Sequence, residues 1–366
     1  MQFSPQQDDA LKAISDWHKA SKKGRAQPVF RLFGYAGTGK TTLARHIAEG
    51  IDGGVLFAAF TGKAAAVMRQ KGCADASTIH SLIYRSRESK AEEPTFVLNR
   101  SSDVKNAKLV IIDECSMVDE ELGRDLTSFG VPVLVLGDPA QLPPVKGGGY
   151  FTESEPDIML TEVHRQAIDN PIIRLSMLAR EGDALPQGAF GESAVIARSA
   201  INAERILSAD QVLVGRNETR RRYNIRIRAL KGWNDAMPVL EEKLVCLRNN
   251  RQKGLLNGSL WTVKLVGQRN GDLIQLRVAP DDGHGPSIKV GVLTAMFEGA
   301  PETIPWDLRR HTDEFDYGYA LTVHKAQGSQ WDDIVLFDES FAFREHRARW
   351  LYTAITRAAQ RITIVT

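Results

Sequence analysis

The stretch Gly34-Tyr35-Ala36-Gly37-Thr38-Gly39-Lys40-Thr41-Thr42 decides the fold class of this chain. It follows the apolar run Val29 to Phe33 and precedes a helix-compatible run, Leu43 to Gly50. A loop of the form G-x-x-x-x-G-K-T between a strand and a helix surrounds phosphate oxygens with backbone N–H groups. We therefore expect a nucleoside triphosphate site, with an ordinary glycine-rich turn as the alternative.

Each part of this loop has an expected role. Lys40 reaches the outer phosphates, and Thr41 ligates magnesium. The residues expected to line the bound nucleotide are Gly34, Ala36, Gly37, Thr38, Gly39, Lys40, Thr41 and Thr42. Magnesium is thus an expected cofactor beside the triphosphate.

Composition sets wide limits on the rest. A chain of 366 residues with 43% hydrophobic and 25% charged content is typical of a folded protein of two or three domains. We see no signal peptide and no apolar run long enough to span a bilayer, so we expect an intracellular, cytoplasmic protein without membrane contact. The spacing of Cys73, Cys115 and Cys246 argues against a disulfide frame or a zinc cluster. With a net charge of only +2, any nucleic-acid surface must be a local groove.

Apolar runs after turn signals predict an α/β fold with two parallel sheets. Those of the first sheet are Val29 to Phe33, Val55 to Phe60, Leu109 to Ile112 and Val131 to Leu136. Those of the second are Val212 to Gly215, Leu244 to Leu247, Ile334 to Phe337 and Ile362 to Val365. Two insertions interrupt them: a β-hairpin near Thr95 to Leu98, and a small β-barrel with runs at Leu260 to Val266 and Leu273 to Val278.

Two further strand ends carry candidate catalytic groups. Asp113 and Glu114 end the run Leu109 to Ile112, where Asp113 can hold magnesium and Glu114 can polarise an attacking water. The run Val131 to Leu136 leads into the turn Asp138-Pro139, and Gln141 follows two residues later. The amide of Gln141 can sense the outer phosphate. Taken alone, Asp113 and Glu114 are an ordinary acidic strand end, and Asp138-Pro139 is an ordinary turn. Beside the phosphate loop, both features favour a hydrolase.

The order of these motifs resembles superfamily 1 DNA helicases of the 5′-to-3′ branch, the RecD- and Dda-like group. The strings that carry the resemblance, besides the loop and the acidic pair, are Phe3-Ser4-Pro5-Gln6-Gln7, Ala59-Phe60-Thr61-Gly62-Lys63, Ser77-Thr78-Ile79-His80, Leu160-Thr161-Glu162-Val163-His164-Arg165, Ala320-Leu321-Thr322-Val323-His324-Lys325-Ala326-Gln327-Gly328 and Tyr352-Thr353-Ala354-Ile355-Thr356-Arg357. The resemblance implies two RecA-like domains that use ATP. It places the first at 1–83 and 105–168 with a hairpin at 84–104, and the second at 169–254 and 318–366 with an SH3-like barrel at 255–317.

The resemblance also implies roles for single residues. Gln7 reads the adenine, Gly328 lies at the nucleotide, and Arg165 and Arg357 act as paired arginine fingers across a cleft. The residues implied to contact single-stranded DNA are Phe60, Thr61, Lys63, Thr78, His80, Phe96, Asn217, Thr322 and His324. For Phe60 and Phe96, packing in the core is the alternative. For the basic run from Arg216 to Lys231, a solvated helix surface is the alternative to DNA contact.

The expected function is an ATP-dependent 5′-to-3′ helicase on single-stranded and tailed duplex DNA. We expect a monomer in a bacterial or phage-infected cell, with a single-stranded-DNA-binding protein or other replication or recombination proteins as candidate partners. Three alternatives stay open. They are a motor subunit of a recombination nuclease, a translocase that strips proteins without unwinding, and a protein that uses ATP only as a binding switch.

Overall fold

The chain, taken from a computed structural model, is described over residues 3–87, 95–143, 149–162, 169–250, 253–255, 257–281, 286–299 and 304–366. It divides into two compact units. The first takes in the described residues up to Asp183 together with Ala348–Thr356, and the second takes in the described residues of Ala184–Arg347 together with Arg357–Thr366.

The first unit is built on a six-stranded parallel sheet. The strands of this unit are β1 (Val29–Gly34), β2 (Val55–Ala59), β3 (Ser77–Thr78), β4 (Tyr84–Arg87), β5 (Thr95–Leu98), β6 (Leu109–Asp113), β7 (Val133–Gly137) and β8 (Ile158–Leu160). All but β4 and β5 belong to the parallel sheet. The sheet order is β3-β2-β6-β7-β1-β8, while β4 pairs with β5. The carboxyl ends of β1, β6 and β7 therefore meet at one edge, which is where parallel sheets place their ligands.

Helices cover both faces of this sheet. They are α1 (Pro5–Ser21), α2 (Lys40–Glu49), α3 (Gly62–Gln70), α4 (Ile79–Ile83), α5 (Glu120–Thr127) and α6 (Pro171–Glu181). Successive residues of a strand point to opposite faces. Accordingly, Leu109 and Ile111 join the core that contains residues of α1 and α2, while Val110 and Ile112 join the core that contains residues of α4 and α5. This explains why the strands are nearly continuous apolar runs.

The second unit contains two sheets. The strands are β9 (Gly188–Phe190), β10 (Ser193–Ile196), β11 (Gln211–Val214), β12 (Lys243–Cys246), β13 (Leu260–Asn270), β14 (Leu273–Pro280), β15 (Ile288–Leu293), β16 (Phe315–Tyr317), β17 (Ala320–Thr322), β18 (Trp331–Phe337) and β19 (Ala358–Val365). Six of them form a sheet in the order β17-β11-β18-β19-β10-β9, parallel except for β9. The other five form an antiparallel sheet in the order β15-β14-β13-β12-β16.

One strand prediction is wrong. The run Leu244 to Leu247 was expected in the second parallel sheet, but β12 pairs antiparallel with both β13 and β16. Leu244, Val245 and Cys246 are fully buried. A short apolar run predicts a buried strand without saying which sheet it joins, because pairing is decided by distant partners.

The remaining helices are short, apart from α8. They are α7 (Ala203–Ser208), α8 (Asn217–Leu230), α9 (Trp306–Arg309), α10 (Val323–Ala326) and α11 (Arg347–Ile355). Nearly all of α11, from Ala348 onward, belongs to the first unit by its contacts. The strand β19 that follows it lies in the second unit. The first unit is therefore assembled from distant parts of the sequence.

Candidate functional site

The predicted phosphate loop joins β1 directly to α2. Gly39 caps α2 with a φ of +82°, and Lys40 is the first helical residue. Glycine is needed at position 34 for a different reason, since a Cβ there would lie 2.7 Å from Thr38 Oγ1 and 2.8 Å from Leu160 Cβ. Lys40 Nζ donates to the carbonyl oxygens of Gly34 (2.5 Å) and Tyr35 (3.0 Å), so its ammonium lies over the loop. A positive charge and a helix N-terminus thus meet where an anion would bind.

Gln7 contacts this loop from the first turn of α1. Its Oε1 accepts from the Ser4 backbone N–H at 3.0 Å, which forms a capping box, and its Nε2 donates to the Thr38 carbonyl at 3.0 Å. Gln7 is buried. The sequence predicted a role in reading adenine, and the structure places the residue as a contact between helix and loop.

Two oxygen groups meet at the expected magnesium position. Thr41 Oγ1 donates to Asp113 Oδ2 at 3.0 Å, and Asp113 Oδ1 accepts from the Glu114 backbone N–H at 2.8 Å. Hydroxyl and carboxylate oxygens suit magnesium, so these residues fit the ion. Glu114 has a left-handed backbone, with φ of +53°, immediately after β6. A sparsely populated backbone conformation beside a candidate ligand site makes Glu114 a candidate functional residue.

The residues after β7 lie beside this loop, because β7 pairs with β1 in the register Phe33 to Gly137. Asp138 is 4% exposed and accepts from the Ala140 backbone N–H at 3.0 Å. Gln141 is 8% exposed, and its Oε1 has no hydrogen-bond partner among the described residues. A buried carbonyl oxygen without a partner is rare in folded proteins and indicates a place for a ligand or a water.

Helix α11 provides contacts to the loop that sequence reasoning missed. Tyr352 donates its hydroxyl to Asp138 Oδ2 at 2.6 Å and accepts from the Ala36 backbone N–H at 2.8 Å. Thr353 Oγ1 accepts from the Leu142 backbone N–H at 2.9 Å. Both side chains belong to the string that pointed to Arg357, but only the arginine was assigned a role. A buried tyrosine needs a hydrogen-bond partner, and this is the signal that could have singled it out.

The two predicted arginine fingers have different outcomes. Arg165 lies outside the described residues. Arg357 lies in the second unit, 5% exposed, where its Nη1 donates to the Ser329 carbonyl at 3.3 Å. Gly328, which directly precedes Ser329 in the chain, has a φ of +72°. Arg357 therefore contacts the residue that follows Gly328, and the nucleotide roles of both residues stay predictions.

The predicted DNA contacts of the first unit include two helix caps. Thr61 caps α3 and accepts from the Ala64 backbone N–H at 3.1 Å, while Thr78 caps α4 and accepts from the Ser81 backbone N–H at 3.0 Å. They lie at the ends of adjacent strands, because Thr61 comes two residues after β2 and Thr78 ends β3, and Ala59 of β2 pairs with Thr78.

The neighbouring predicted contacts differ in their surroundings. Lys63 is half-buried in the first turn of α3, and the ring centroid of His80 lies 4.7 Å from that of Tyr84. Phe60 packs against the core of the sheet, which favours the packing alternative. The side chain of Phe96, on β5, lies outside the described part.

The second unit repeats this arrangement. Thr322 caps α10 and is the last residue of β17, which pairs with β11 in the register Val214 to Thr322. Asn217, exposed, begins α8 just after β11. The His324 ring packs 5.5 Å from that of Phe343, and burial together with nearby His346 lowers the pKa of His324. His324 is therefore a neutral hydrogen-bonding group near neutral pH.

The basic run of α8 divides into buried and exposed arginines. Arg220 is 4% exposed and pairs with Asp316 at 2.7 Å, and Arg228 pairs with fully buried Glu242. Arg222 and Arg226 are exposed. A solvated surface thus describes only part of the run, because buried carboxylates need charged partners.

Two expectations from composition can be checked directly. Cys73, Cys115 and Cys246 are free and buried. Within the described ranges, every helix is too short or too polar to cross a bilayer.

Known proteins resemble this chain in sequence and in fold. The family model described as an AAA domain matches residues 3–198, more than half of the chain. The chain belongs to the AAA domain family. A second model, described as a UvrD-like helicase C-terminal domain, matches residues 317–365 of this AAA domain protein.

Individual relatives narrow the group. The chain is 29% identical to the ATP-dependent RecD2 DNA helicase of Deinococcus radiodurans over 90% of its length and 46% of the relative's. It is 32% identical to the ATP-dependent DNA helicase dda of Enterobacteria phage T4 over 41% of its length and 37% of the relative's. The chain thus spans less than half of either relative. The family match and these two relatives confirm the resemblance to superfamily 1 helicases of the RecD- and Dda-like group.

A solved structure supports the fold. A Bacteroides Pif1 bound to ssDNA is 18% identical, with a TM-score of 0.58, and the match covers 99% of this chain and 92% of that one. At this identity the likeness speaks for the fold alone. The predicted α/β architecture with two RecA-like domains is confirmed.

Proposed function

We propose that this protein is an ATP-dependent 5′-to-3′ helicase and translocase on single-stranded DNA. The observation that carries the proposal is the hydrogen bond from Thr41 to Asp113 at the carboxyl edge of a parallel sheet, where Lys40, next to Thr41 in the chain, contacts the phosphate loop. Groups for phosphate, magnesium and water are thereby gathered in one place. The family and its relatives supply the kind of reaction.

The residues of this edge have distinct proposed tasks. Lys40 neutralises the outer phosphates, and Thr41 and Asp113 hold magnesium, which when bound supplies charge neutralisation at the transferring phosphoryl group. Glu114 orients and deprotonates the attacking water. Gln141 hydrogen-bonds the outer phosphate through an amide that both donates and accepts.

The threonines at the strand ends are the proposed DNA grip. Thr61, Thr78 and Thr322 each cap a helix that follows a strand, so hydroxyls and helix N-terminal N–H groups occur together. Such groups bind backbone phosphates and carry no base information. This suits a motor that must move along any sequence.

The finer mechanism rests on resemblance. Arg165 and Arg357 are the proposed arginine fingers, with Arg357 contributed by the second domain, so that binding and hydrolysis close and open the two domains on the strand. The proposed SH3-like barrel at 255–317 contains β13, β14, β15 and β16 of the antiparallel sheet, and the protein acts as a monomer.

Unwinding of tailed duplexes tests the proposal. With ATP, we expect strand separation on a duplex with a 5′ single-stranded tail and none on one with only a 3′ tail. Glu114→Gln should reduce DNA-stimulated ATP hydrolysis by roughly 10²- to 10⁴-fold while nucleotide still binds, since general base catalysis contributes that much. The matched control is Glu121→Gln, an exposed glutamate on α5 of the same unit, which should keep full activity.

Each contrary result points to a different error. Unwinding from the 3′ tail would overturn the polarity. ATP hydrolysis that strips a bound protein from the strand without separating duplexes would favour the translocase alternative. Full activity in Glu114→Gln would overturn the catalytic assignment.

A further inference from the structure

A buried chain of hydrogen bonds links the phosphate loop to the segment after β7. It runs from the Ala36 backbone N–H to the Tyr352 hydroxyl (2.8 Å) and from that hydroxyl to Asp138 Oδ2 (2.6 Å). All three residues belong to the first unit, although Tyr352 lies 316 positions from Ala36 along the sequence. The loop and the strand end are therefore connected by a single side chain.

A second link comes from the next residue of α11. Thr353 Oγ1 accepts from the Leu142 backbone N–H at 2.9 Å and donates to the Arg349 carbonyl at 2.7 Å. Asp138 and Leu142 bracket Gln141, so the two links hold the short segment that carries this glutamine at both ends. Helix α11 thus fixes the place of Gln141 relative to the phosphate loop.

Burial makes these links strong. Tyr352 is 1% exposed, Thr353 is fully buried and Asp138 is 4% exposed. Burial, and then the charge of Asp138, raise the pKa of Tyr352, so its hydroxyl keeps the proton that it donates. Removing either partner would leave a polar group unsatisfied in a site that water cannot readily reach.

Gln141 lies between these links with an oxygen that is unused. It is 8% exposed and its Oε1 has no hydrogen-bond partner among the described residues. A group held this firmly and left without a partner is arranged for something that arrives with the ligand.

We propose that Tyr352 and Thr353 are positioning residues for recognition of the outer phosphate, holding Gln141 against the phosphate loop so that the site distinguishes a nucleoside triphosphate from a diphosphate. The inference rests on the proposed function, because it takes ATP as the ligand. Tyr352 acts through Asp138 and the Ala36 amide, and Thr353 acts through the Leu142 amide.

The inference predicts selective damage. The N–H groups at the start of α2 bind the inner phosphates in this proposal, and they do not depend on Tyr352. Contact with the outer phosphate requires Gln141 at a fixed place. Loss of a link should therefore weaken triphosphate binding and spare diphosphate binding, whereas a general loss of structure would weaken both.

The experiment uses the full chain with Mg-ADP and with the magnesium complex of adenylyl imidodiphosphate, a non-hydrolysable ATP analogue. We expect Tyr352→Phe and Thr353→Val each to lower affinity for the analogue roughly tenfold, the usual effect of losing a buried hydrogen bond to a charged or oriented partner, and affinity for ADP less than about twofold. Thr353→Ser, which keeps the hydroxyl, should retain wild-type discrimination.

Tyr84→Phe is the matched tyrosine control. Its hydroxyl donates to Asp125 at 2.5 Å in the same unit, so the variant loses a tyrosine–carboxylate bond of the same chemistry without touching the phosphate loop. Its nucleotide affinities should match those of the wild type. Melting temperatures of all variants, measured without nucleotide, report how far stability itself has changed.

The outcomes separate the two proposals. A wild-type chain that binds neither nucleotide overturns the proposed function. If the wild type binds both, then equal loss of both affinities in Tyr352→Phe and Thr353→Val, or no loss in either variant, overturns this inference and leaves the proposed function intact. Selective loss of analogue binding in both variants supports it.

Discussion

Replacing Gly34 by alanine measures how closely the phosphate loop is packed. The added Cβ would lie 2.7 Å from Thr38 Oγ1, 2.8 Å from Leu160 Cβ and 3.0 Å from the Leu160 carbonyl oxygen. All three separations are at or below normal van der Waals contact, so at least one neighbour must move. The Leu160 carbonyl accepts from the Tyr35 backbone N–H, and the Thr38 hydroxyl donates to the Tyr35 carbonyl. Either movement therefore disturbs the loop.

The size of the effect follows from overpacking. Forcing an extra methyl group into a packed site costs about 1–3 kcal/mol. For a unit of this size each kcal/mol lowers the melting temperature by about 2–4 °C, so Gly34→Ala should melt roughly 2–12 °C below the wild type. Because the loop itself must shift, affinity for Mg-ADP should fall as well.

Thermal unfolding and nucleotide titration on the same samples provide the assay. The matched control is Gly54→Ala in the same unit, where an added Cβ would meet nothing within 4 Å. That variant should melt at or slightly above the wild-type temperature, since alanine restricts the unfolded chain. The packing argument is refuted if Gly34→Ala and Gly54→Ala have the same melting temperature and the same ADP affinity.

Two further predictions concern buried charges of the second unit. Burial alone would raise the pKa of Asp333, but hydrogen bonds from Arg361 and Arg205 outweigh it and hold the pKa below its ordinary value. The resulting stability is present above the carboxyl's unfolded pKa, about 4, and is lost as pH falls through the lower folded value. Asp333→Asn should thus lower the free energy of unfolding, measured in urea, by about 1–3 kcal/mol at pH 7 and by less at pH 3. Equal losses at the two pH values would contradict this. Glu242→Ala should lower the free energy of unfolding by about 3–5 kcal/mol, because it leaves buried Arg228 without its carboxylate partner. The double variant Arg228→Met with Glu242→Leu should recover most of that loss in the same assay. No recovery would show that the pair does more than neutralise charge.

Local patterns predicted the elements that local physics controls. The run from Leu109 to Asp113 is a strand because every apolar residue in it is buried on one face or the other, and its terminal carboxylate meets Thr41 as the motif requires. The phosphate loop follows the same logic, since glycine positions and flanking elements are short-range features. These parts of the fold and site were readable from sequence.

Long-range pairing was not readable in the same way. The run beginning at Leu244 has the pattern of a buried strand, yet its partners β13 and β16 decide that it belongs to the antiparallel sheet. Tyr352 sits within a recognised string, but its partner Asp138 lies 214 positions away. The role of Gln7 at a base edge stays a prediction, while its contacts with Ser4 and Thr38 join a helix end to the phosphate loop.

The placement of Ala348–Thr356 in the first unit has a consequence for biosynthesis. A ribosome makes roughly 5–20 residues per second, so the stretch between Asp183 and Ala348 takes about 8 to 33 seconds to emerge. During that time the sheet carrying the phosphate loop can form, but the Ala36 amide, Asp138 and the Leu142 amide lack the partners that α11 will supply. The nascent chain thus holds a phosphate-loop core that lacks this brace until α11 has been made, and its proposed ability to tell ATP from ADP should mature only then.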